Sequence, residues 1–204
     1  MDAKLLAWAR ATASRVPAAK RGNATPRAAH RCIPPLWLFT DPNRLTDPLA
    51  SVARLPRGLA GVVFRHDSYP DRAKLAHDLA RICRARRLIL VVAGDPRLAA
   101  ALHAGVHLRG GRWPGRSRAG RFVTSSAHSL PDLRRAAKAG AELIFLSPVF
   151  PTASHPDTLT LGPALWARLA RGSAMAAALG GIDGETVRRL PRHCRAVGAI
   201  GALA

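Results

Sequence analysis

Residues 58–95, GLAGVVFRHDSYPDRAKLAHDLARICRARRLILVVAGD, contain two short apolar runs with an amphipathic segment between them. The runs GLAGVVF and LILVVA are almost continuous in apolar residues, which is typical of strands that are buried on both faces. In the segment between them, apolar residues recur three and four positions apart, which predicts a helix. The order strand, helix, strand indicates a unit whose two strands run parallel.

The same alternation extends over residues 36–204. Eight apolar runs occur there, and most are followed by a helical pattern, the last of these being GETVRRLPRHC at residues 184–194. We therefore expect an α/β fold, a compact (β/α)8 barrel, with a doubly wound parallel sheet as the alternative. The sequence ends four residues after Ile200, so the eighth helix of such a barrel is missing.

Residues 1–35 differ from the rest. Residues 3–16, AKLLAWARATASRV, have apolar side chains at helical spacing, and residues 17–35 are interrupted by four prolines and Gly22. An amphipathic segment rich in arginine and poor in acidic residues is typical of a transit peptide. The favoured interpretation is an extra helix that packs outside the barrel and partly covers the place of the missing eighth helix. We thus divide the chain into a basic segment, 1–35, and a barrel domain, 36–204.

The formal net charge is +20 and the isoelectric point is near 11.8, values that are common in nucleic-acid-binding proteins. Only four of the basic residues are lysines, and the arginines are spread over almost every predicted helix. Aromatic residues make up only 5% of the chain, so platforms for base stacking are scarce. A background bias toward arginine explains this distribution better than a nucleic-acid partner does.

Cysteine usage and hydropathy limit the cellular setting. Three cysteines, an odd number, stand far apart and form no CxxC pair, which argues against a disulfide framework and fits a reducing cytoplasm. No apolar run approaches the roughly 18 residues that a membrane span needs. We expect a cytoplasmic protein without a membrane partner, and we leave homo-oligomer formation open.

Polar residues are concentrated where the predicted strands end. These positions are Thr40 and Asp41; Arg65, His66 and Asp67; Gly94 and Asp95; His107 and Arg109; Ser125, Ser126 and His128; Ser147 and Thr152 to His155; Gly180 and Gly181; and Gly198 and Gly201. In a (β/α)8 barrel the chemistry lies at the carboxyl ends of the strands, although loops that meet water are polar in any case. The last two ends are rich in glycine, which lets backbone N–H groups approach an anion such as phosphate.

Five segments resemble the thiamine phosphate synthases and their thiazole tautomerase-like relatives. The segments are GVHL (105–108), SAHSLPDLRRA (126–136), SPVFPTASHPDTLTLG (147–162), LGGI (179–182) and VGAIGALA (197–204). The resemblance runs from about Leu36 to Ala204, in order and at compatible spacing. It implies a (β/α)8 barrel that joins hydroxymethylpyrimidine diphosphate to thiazole phosphate and releases pyrophosphate, so the expected partners are small phosphate and diphosphate substrates.

The resemblance also implies roles for individual residues. It assigns substrate binding to Arg65, Thr152, Ser154, Gly181, Ile200 and Gly201, and catalysis to Ser126, His128 and His155. Arg65 would pair with the diphosphate, and His155 stands in the place of a lysine that contacts pyrophosphate. The amides near Gly181 and Gly201 would hold the thiazole phosphate. In the tautomerase-like relatives, a histidine at the position of His128 acts as the acid and base.

Magnesium is the implied cofactor, and the residues for it are incomplete. Family synthases hold Mg²⁺ with one aspartate after the third strand and another after the fourth. Asp95 occupies the first place, whereas the second place reads LRGGRWPG, residues 108–115, with no carboxylate. Magnesium prefers oxygen ligands. The alternative is that Arg109 and Arg112 neutralise the pyrophosphate directly.

Three functions therefore remain open at this stage. Synthase chemistry is favoured, a tautomerase-like isomerase or a diverged phosphate-binding member of the family is second, and a basic nucleic-acid-binding protein is third. The buried strand GVHL makes His107 a structural residue in preference to a catalytic one.

Overall fold

A computed structural model of the chain describes residues 1–15, 33–114, 122–152, 158–171 and 176–204. The strands are β1 (Leu36–Phe39), β2 (Ala60–Phe64), β3 (Ile89–Ala93), β4 (Gly105–Leu108), β5 (Val123–Ala127), β6 (Leu143–Leu146), β7 (Ala176–Leu179) and β8 (Val197–Ala199). The helices are α1 (Ala3–Ser14), α2 (Pro48–Arg54), α3 (Arg72–Ala85), α4 (Pro96–Ala101), α5 (Leu130–Lys138) and α6 (Gly162–Ala170), with 3₁₀ turns at Thr186–Arg189 and Gly201–Leu203.

The eight strands form a closed barrel in chain order, and every neighbouring pair is parallel. Closure through the pairing of β1 with β8 confirms the predicted (β/α)8 barrel and excludes the doubly wound sheet. All carboxyl ends of the strands consequently meet at one end of the barrel, which we call the barrel mouth.

An indole ring fills the barrel because its neighbours are glycines. Trp37 lies in register with Gly61 on one side and Gly198 on the other. A Cβ atom on Gly61 would come within 2.5 Å of the Trp37 ring. The same ring stacks on Phe122 at 6.0 Å and meets the edge of Phe145 at 5.6 Å. The barrel is therefore a packed core, and only its mouth is free to hold ligands.

Strand alternation decides which polar residues enter the mouth. Side chains two positions apart share one face of a strand. Val63 and Phe145 belong to the cluster inside the barrel, so Arg65 and Ser147 continue on the inner side, just beyond the ends of β2 and β6. The same alternation places Ser126 and Ile200 on the inner side of β5 and β8.

The helix α1 bonds to the ends of β7 and β8. The Asp2 backbone N–H donates to the carbonyl of Ala202 at 2.8 Å, and the Asp2 carboxylate accepts from the Gly184 N–H at 2.8 Å. Leu5 and Ala9 of this helix are fully buried in the outer core. The prediction of an extra N-terminal helix packed outside the barrel is confirmed, and this helix lies against the segments that follow β7 and β8. The division of the chain at residue 35 stays a prediction.

The helix predicted for residues 184–194 is wrong. After β7 the chain forms a single 3₁₀ turn, Thr186–Arg189, followed by an extended Leu190. Pro191 lacks the N–H that a continuing helix requires, so the turn cannot extend through it. Among the residues described, no helix is long and apolar enough to cross a membrane.

Candidate active site

Three carboxylates and three guanidinium groups form two sets of ion pairs at the ends of β1 to β4. This arginine cluster consists of Asp41, Arg65, Asp67, Arg72, Asp95 and Arg109. Arg65 Nη2 lies 3.2 Å from Asp41 Oδ2, and Arg72 Nη1 lies 2.7 Å from Asp95 Oδ2. Asp67 is paired with Arg109 and lies 3.7 Å from Arg72 Nη2. Each carboxylate at this side of the mouth thus faces a permanent cation.

Arg65 is partly buried at the end of β2. Its Nε donates to the carbonyl of Thr40 at 3.4 Å, and its guanidinium lies 5.5 Å from the centre of the Phe39 ring. Burial lowers the pKa of Arg65; Asp41 opposes this effect and the nearby Arg109 adds to it. The positive charge of Arg109 thus acts unfavourably on the charged Arg65 guanidinium.

The donors at Asp95 do not fit a resident magnesium ion. Asp95 Oδ1 accepts from the Leu98 N–H at 2.9 Å and begins α4, while Oδ2 is bonded to Arg72. Burial raises the pKa of Asp95, but the hydrogen bonds from Leu98 and Arg72 outweigh it and hold the pKa below its usual value. Within the described ranges, no group of three His, Cys, Asp or Glu side chains converges on a point. Magnesium as a cofactor stays a prediction that these residues do not support.

The turn after β4 is fixed against β5 and α5. The N–H of Gly110 donates to Ser126 Oγ at 3.2 Å, and the N–H of Gly111 donates to Ser125 Oγ at 2.9 Å. Arg135 Nε donates to the Gly110 carbonyl at 2.6 Å. Because both glycines have positive φ, a chain with side chains here would be strained. This turn sets the position of Arg109 and gives Ser126 a partner before any ligand arrives.

His128 connects the ends of β5 and β6. Its Nδ1 lies 3.0 Å from the Ser147 carbonyl and 3.3 Å from Ser147 Oγ, and its backbone N–H donates to Asp132 at 3.1 Å. A carbonyl accepts only, so Nδ1 carries the hydrogen and Nε2 of the neutral ring has the lone pair. The exposed ring therefore holds the two loops together and keeps one nitrogen available for a proton.

The residues after β6 pack directly on the glycine pair after β7. The N–H of Phe150 donates to the Gly180 carbonyl at 3.1 Å. A Cβ atom on Gly181 would lie 2.3 Å from the Pro151 carbonyl oxygen, and Gly181 has a φ of +63°. Close backbone packing thus requires this glycine, and it places Thr152 beside the turn that was predicted to hold phosphate.

At the end of β8, Ile200 precedes the short 3₁₀ turn Gly201–Leu203. The first N–H groups of such a turn have no partner within it. A Cβ atom on Gly201 would lie 3.8 Å from Arg44 Nη2, so a guanidinium group from the loop after β1 is already beside this backbone. A phosphate on the Gly201 amide would lie next to that positive charge.

Two histidines near the mouth are structural. His107 is buried in the barrel, where its Nδ1 is 2.8 Å from Thr124 Oγ1 and its ring meets the edge of Phe39. Burial, together with the nearby Arg65 and Arg109, lowers the pKa of His107 to about 3, so the ring is neutral near pH 7. His66 is also buried, bonded to Thr40 and stacked on Phe64. The structural interpretation of His107 agrees with this geometry.

The remaining predicted residues are only partly visible. Thr152 is the last described residue before a gap, and it has an interaction partner. Ser154 and His155 lie outside the described residues. Their predicted roles in binding and catalysis stay predictions.

A cleft of about 200 Å³ lies at the opposite end of the barrel, between α3, α4 and the amino ends of β3 and β4. Its walls include Cys83, Arg84, His103 and Phe122. Phe122 borders the undescribed residues 115–121, so this cleft lies beside a part of the chain that the structure does not describe. The strand-end residues lie at the barrel mouth, and the mouth is the candidate active site.

Sequence reasoning missed three residues of the mouth. Asp67 was noted only as a polar strand end, and neither Arg72 nor Arg44 was singled out. Arg72 is the first residue of α3 and reaches Asp95 across 23 positions of sequence, a distance that no local pattern reveals. One signal was available in the sequence. No carboxylate follows β4, so Asp95 could not share a metal ion with a second aspartate there and was free to pair with another cation.

Comparison with known proteins agrees with this geometry. The family model described as thiamine monophosphate synthase matches residues 36–202, which is most of the chain. The chain belongs to this family. Its members are transferases of thiamine biosynthesis, and the comparisons do not favour the tautomerase-like or nucleic-acid-binding alternatives.

Individual relatives give the extent of the similarity. The chain is 34% identical over 165 residues to a thiamine-phosphate synthase of Chromobacterium violaceum, covering 75% of this chain and 79% of the relative. It is 36% identical over 142 residues to one of Thiobacillus denitrificans, covering 64% and 66%. The thiamine phosphate pyrophosphorylase structure from Pyrococcus furiosus has a TM-score of 0.70 at 23% identity, over 82% of this chain and 86% of that one, which shows a shared fold.

Proposed function

We propose that this chain is a thiamine phosphate synthase that joins hydroxymethylpyrimidine diphosphate to thiazole phosphate at the barrel mouth. The arginine cluster supports this proposal, because it brings three guanidinium groups to one side of the barrel mouth. The bond between the carbon of the pyrimidine substrate and the pyrophosphate oxygen breaks, and its electron pair leaves with pyrophosphate. The thiazole nitrogen then forms a bond to that carbon. The protein has to hold two anions, stabilise the leaving charge and exclude water.

The two anions fit opposite sides of the mouth. Arg65 and Arg109, at the ends of β2 and β4, support a diphosphate site. The backbone near Gly181, Ile200 and Gly201, with Arg44 beside Gly201, supports a site for the thiazole phosphate. Ser126 and Thr152 follow or end strands between these two sites, and we propose that they, together with Ser154 and His155 further along the sequence, contact the reacting groups. The expected setting is the cytoplasm.

A direct assay tests the proposal. Purified protein is mixed with hydroxymethylpyrimidine diphosphate and thiazole phosphate, with and without Mg²⁺, and thiamine phosphate is followed over time. We expect sustained turnover, and a loss of at least about tenfold in kcat/KM for Arg65→Ala because a charge-assisted contact is worth about 1.5–3 kcal/mol. Arg168→Ala, on α6 away from the cluster, is the matched control. No product under either condition, from protein that binds both substrates, would contradict the proposal.

A further inference from the structure

The position between Asp67 and Asp95 is already taken by a cation, the guanidinium group of Arg72. Its Nη1 lies 2.7 Å from Asp95 Oδ2, and its Nη2 lies 3.7 Å from Asp67 Oδ1. Two carboxylates that converge on one point are the usual ligands of a divalent ion. Here they converge on the side chain of the first residue of α3.

Arg72 is held in this position from several directions. Its Nη2 donates to the Ala93 carbonyl at 3.2 Å, and its guanidinium lies 5.6 Å from the centre of the Phe64 ring. Its side chain is only 18% exposed. An arginine keeps its charge at any physiological pH, so a metal ion at this point would have to displace a permanent, partly buried cation.

The second metal position of the family also lacks its ligand here. Residues 108–115, after β4, contain no carboxylate, and they carry Arg109, whose turn is fixed by Gly110 and Gly111. The side chain of Arg109 is 59% exposed and pairs with Asp67. Asp67 is thereby shared by two guanidinium groups, which removes much of its repulsion toward an incoming anion.

Within the described part of the chain, two guanidinium groups of the cluster keep donors for a ligand. A guanidinium group has five N–H donors. Arg65 uses its Nε and Nη2 on Thr40 and Asp41, and Arg109 uses Nη2 on Asp67. An anion between Arg65 and Arg109 would relieve their mutual repulsion and could accept bidentate hydrogen bonds from each.

We infer that Arg72 replaces the metal ion of this site, so that Arg65 and Arg109 bind the diphosphate without divalent metal. The inference rests on the proposed function, because it concerns the same diphosphate site. When the carbon–oxygen bond breaks, the electron pair goes to pyrophosphate, and guanidinium groups receive the charge that Mg²⁺ would otherwise neutralise. The reaction needs no further reactant.

Binding of inorganic pyrophosphate, measured by isothermal titration calorimetry in EDTA and in Mg²⁺, tests this inference. We expect the wild-type chain to bind in EDTA and to bind no more tightly when Mg²⁺ is added. In Arg72→Ala, Asp67 and Asp95 lose their shared cation, so affinity in EDTA should fall at least about tenfold. Added Mg²⁺ should restore most of it, because the two carboxylates are then free for a metal.

Two further variants keep the test decisive. Arg109→Asp changes an exposed side chain and removes one of the two cations assigned to the diphosphate, so its affinity for pyrophosphate in EDTA should fall at least about tenfold even if Arg72→Ala fails to fold. Added Mg²⁺ should restore little of it, because Arg72 still lies between Asp67 and Asp95. Arg81→Ala removes an exposed ion pair with Asp78 on the same helix and should behave as wild type.

The outcomes separate the two proposals. Wild-type binding that requires Mg²⁺ overturns the inference and leaves the proposed synthase function standing. Equal Mg²⁺ responses in the wild type and Arg72→Ala, or an unchanged affinity of Arg109→Asp in EDTA, also overturn it. An absence of pyrophosphate binding under both conditions overturns the diphosphate site itself, and with it the proposed function.

Discussion

At the scale of single residues, the contacts of His128 favour a positioning role over a role in proton transfer. Nδ1 of His128 donates to the Ser147 carbonyl and ties the ends of β5 and β6 together. We propose that this hydrogen bond, and not a change of protonation, is what the synthase reaction requires of His128. The tautomerase-like chemistry would instead need the ring nitrogen as acid and base.

Replacement of His128 tests this role. His128→Asn offers an amide N–H near the position of Nδ1, so we expect kcat/KM to stay within about twofold of wild type. His128→Ala removes the hydrogen bond, which is worth about 0.5–1.5 kcal/mol, and should lower kcat/KM by about two- to twelvefold. Steady-state kinetics on both variants give the answer. Equal losses of a hundredfold or more in both would identify His128 as an acid or base.

His107 predicts a pH dependence of stability. Because burial lowers its pKa from 6.5 to about 3, the unfolded chain binds a proton near pH 6.5 that the folded chain binds only near pH 3. The contribution of His107 to the free energy of unfolding is therefore fully present above pH 6.5 and is lost as the pH drops toward 3. The slope from this one group is up to about 1.4 kcal/mol per pH unit.

Urea unfolding at pH 7, 6 and 5 measures this slope. His107→Gln keeps a polar group near Thr124 and removes the titration, so its unfolding free energy should change less over the same pH range. Part of the slope will remain, because burial also lowers the pKa of His66. An unchanged slope in His107→Gln would assign the pH dependence to other groups.

At the scale of elements, the contact between the loop after β6 and the glycine turn after β7 builds one side of the mouth. Gly181 and Gly140 both have positive φ, +63° and +85°, but nothing lies within 4 Å of a Cβ atom placed on Gly140. These two glycines therefore form a matched pair. A side chain at either position would strain the backbone, but only at Gly181 would it also clash with neighbouring atoms.

Alanine at the two positions should have different effects. Gly140→Ala should cost about 1–2 kcal/mol of unfolding free energy from backbone strain alone. Gly181→Ala adds a Cβ atom only 2.3 Å from the Pro151 carbonyl oxygen, so it should cost more and displace the loop that carries Thr152. We expect thiazole phosphate affinity to fall at least about tenfold in Gly181→Ala and to stay unchanged in Gly140→Ala. Equal affinities, measured by calorimetry on folded protein, would remove this turn from the phosphate site.

At the scale of the whole molecule, the barrel was predictable because its signals are local. Each strand is a short apolar run, and each strand end is marked by polar residues or glycine, so residues 58–95 already indicate the repeating unit. The pairing of Arg72 with Asp95 was not predictable in the same way, because it depends on where α3 begins relative to β3 in three dimensions. The helix predicted after β7 failed because its apolar spacing was outweighed by Pro191.

The distribution of charge also becomes clear only at this scale. Arg54, Arg81, Arg134 and Arg168 lie on α2, α3, α5 and α6, which are different sides of the ring. In the part of the chain that the structure describes, the arginines that contact carboxylates at the strand ends are a separate group. This arrangement fits a general excess of arginine together with a specific anion site, and it does not suggest a nucleic-acid groove.

The helix α1 packs against the segments that follow β7 and β8. The amino group of Met1 donates to the Ala204 carbonyl at 3.0 Å, so the two ends of the chain meet beside β8. Lys4 pairs with Glu185, and Asp2 bonds to Gly184, in the segment that follows the glycine turn. The position of α1 in the sequence should therefore affect the stability of the fold less than whether α1 is present at all.

A circular permutant tests this view of the molecule. A chain that begins at Ile33 and carries residues 1–15 after Ala204, through a short Gly-Ser linker, should fold with a far-ultraviolet circular dichroism spectrum and an unfolding free energy close to wild type. The same chain without residues 1–15 exposes the surface that Leu5 and Ala9 bury, and each buried aliphatic side chain is worth up to about 1.5–3 kcal/mol. We therefore expect the truncated chain to be several kcal/mol less stable or to aggregate. A stable truncated chain with full affinity for thiazole phosphate would show that α1 is dispensable. Wild-type stability in the permutant but not in the truncated chain would show that the barrel needs this helix, whichever end of the sequence carries it.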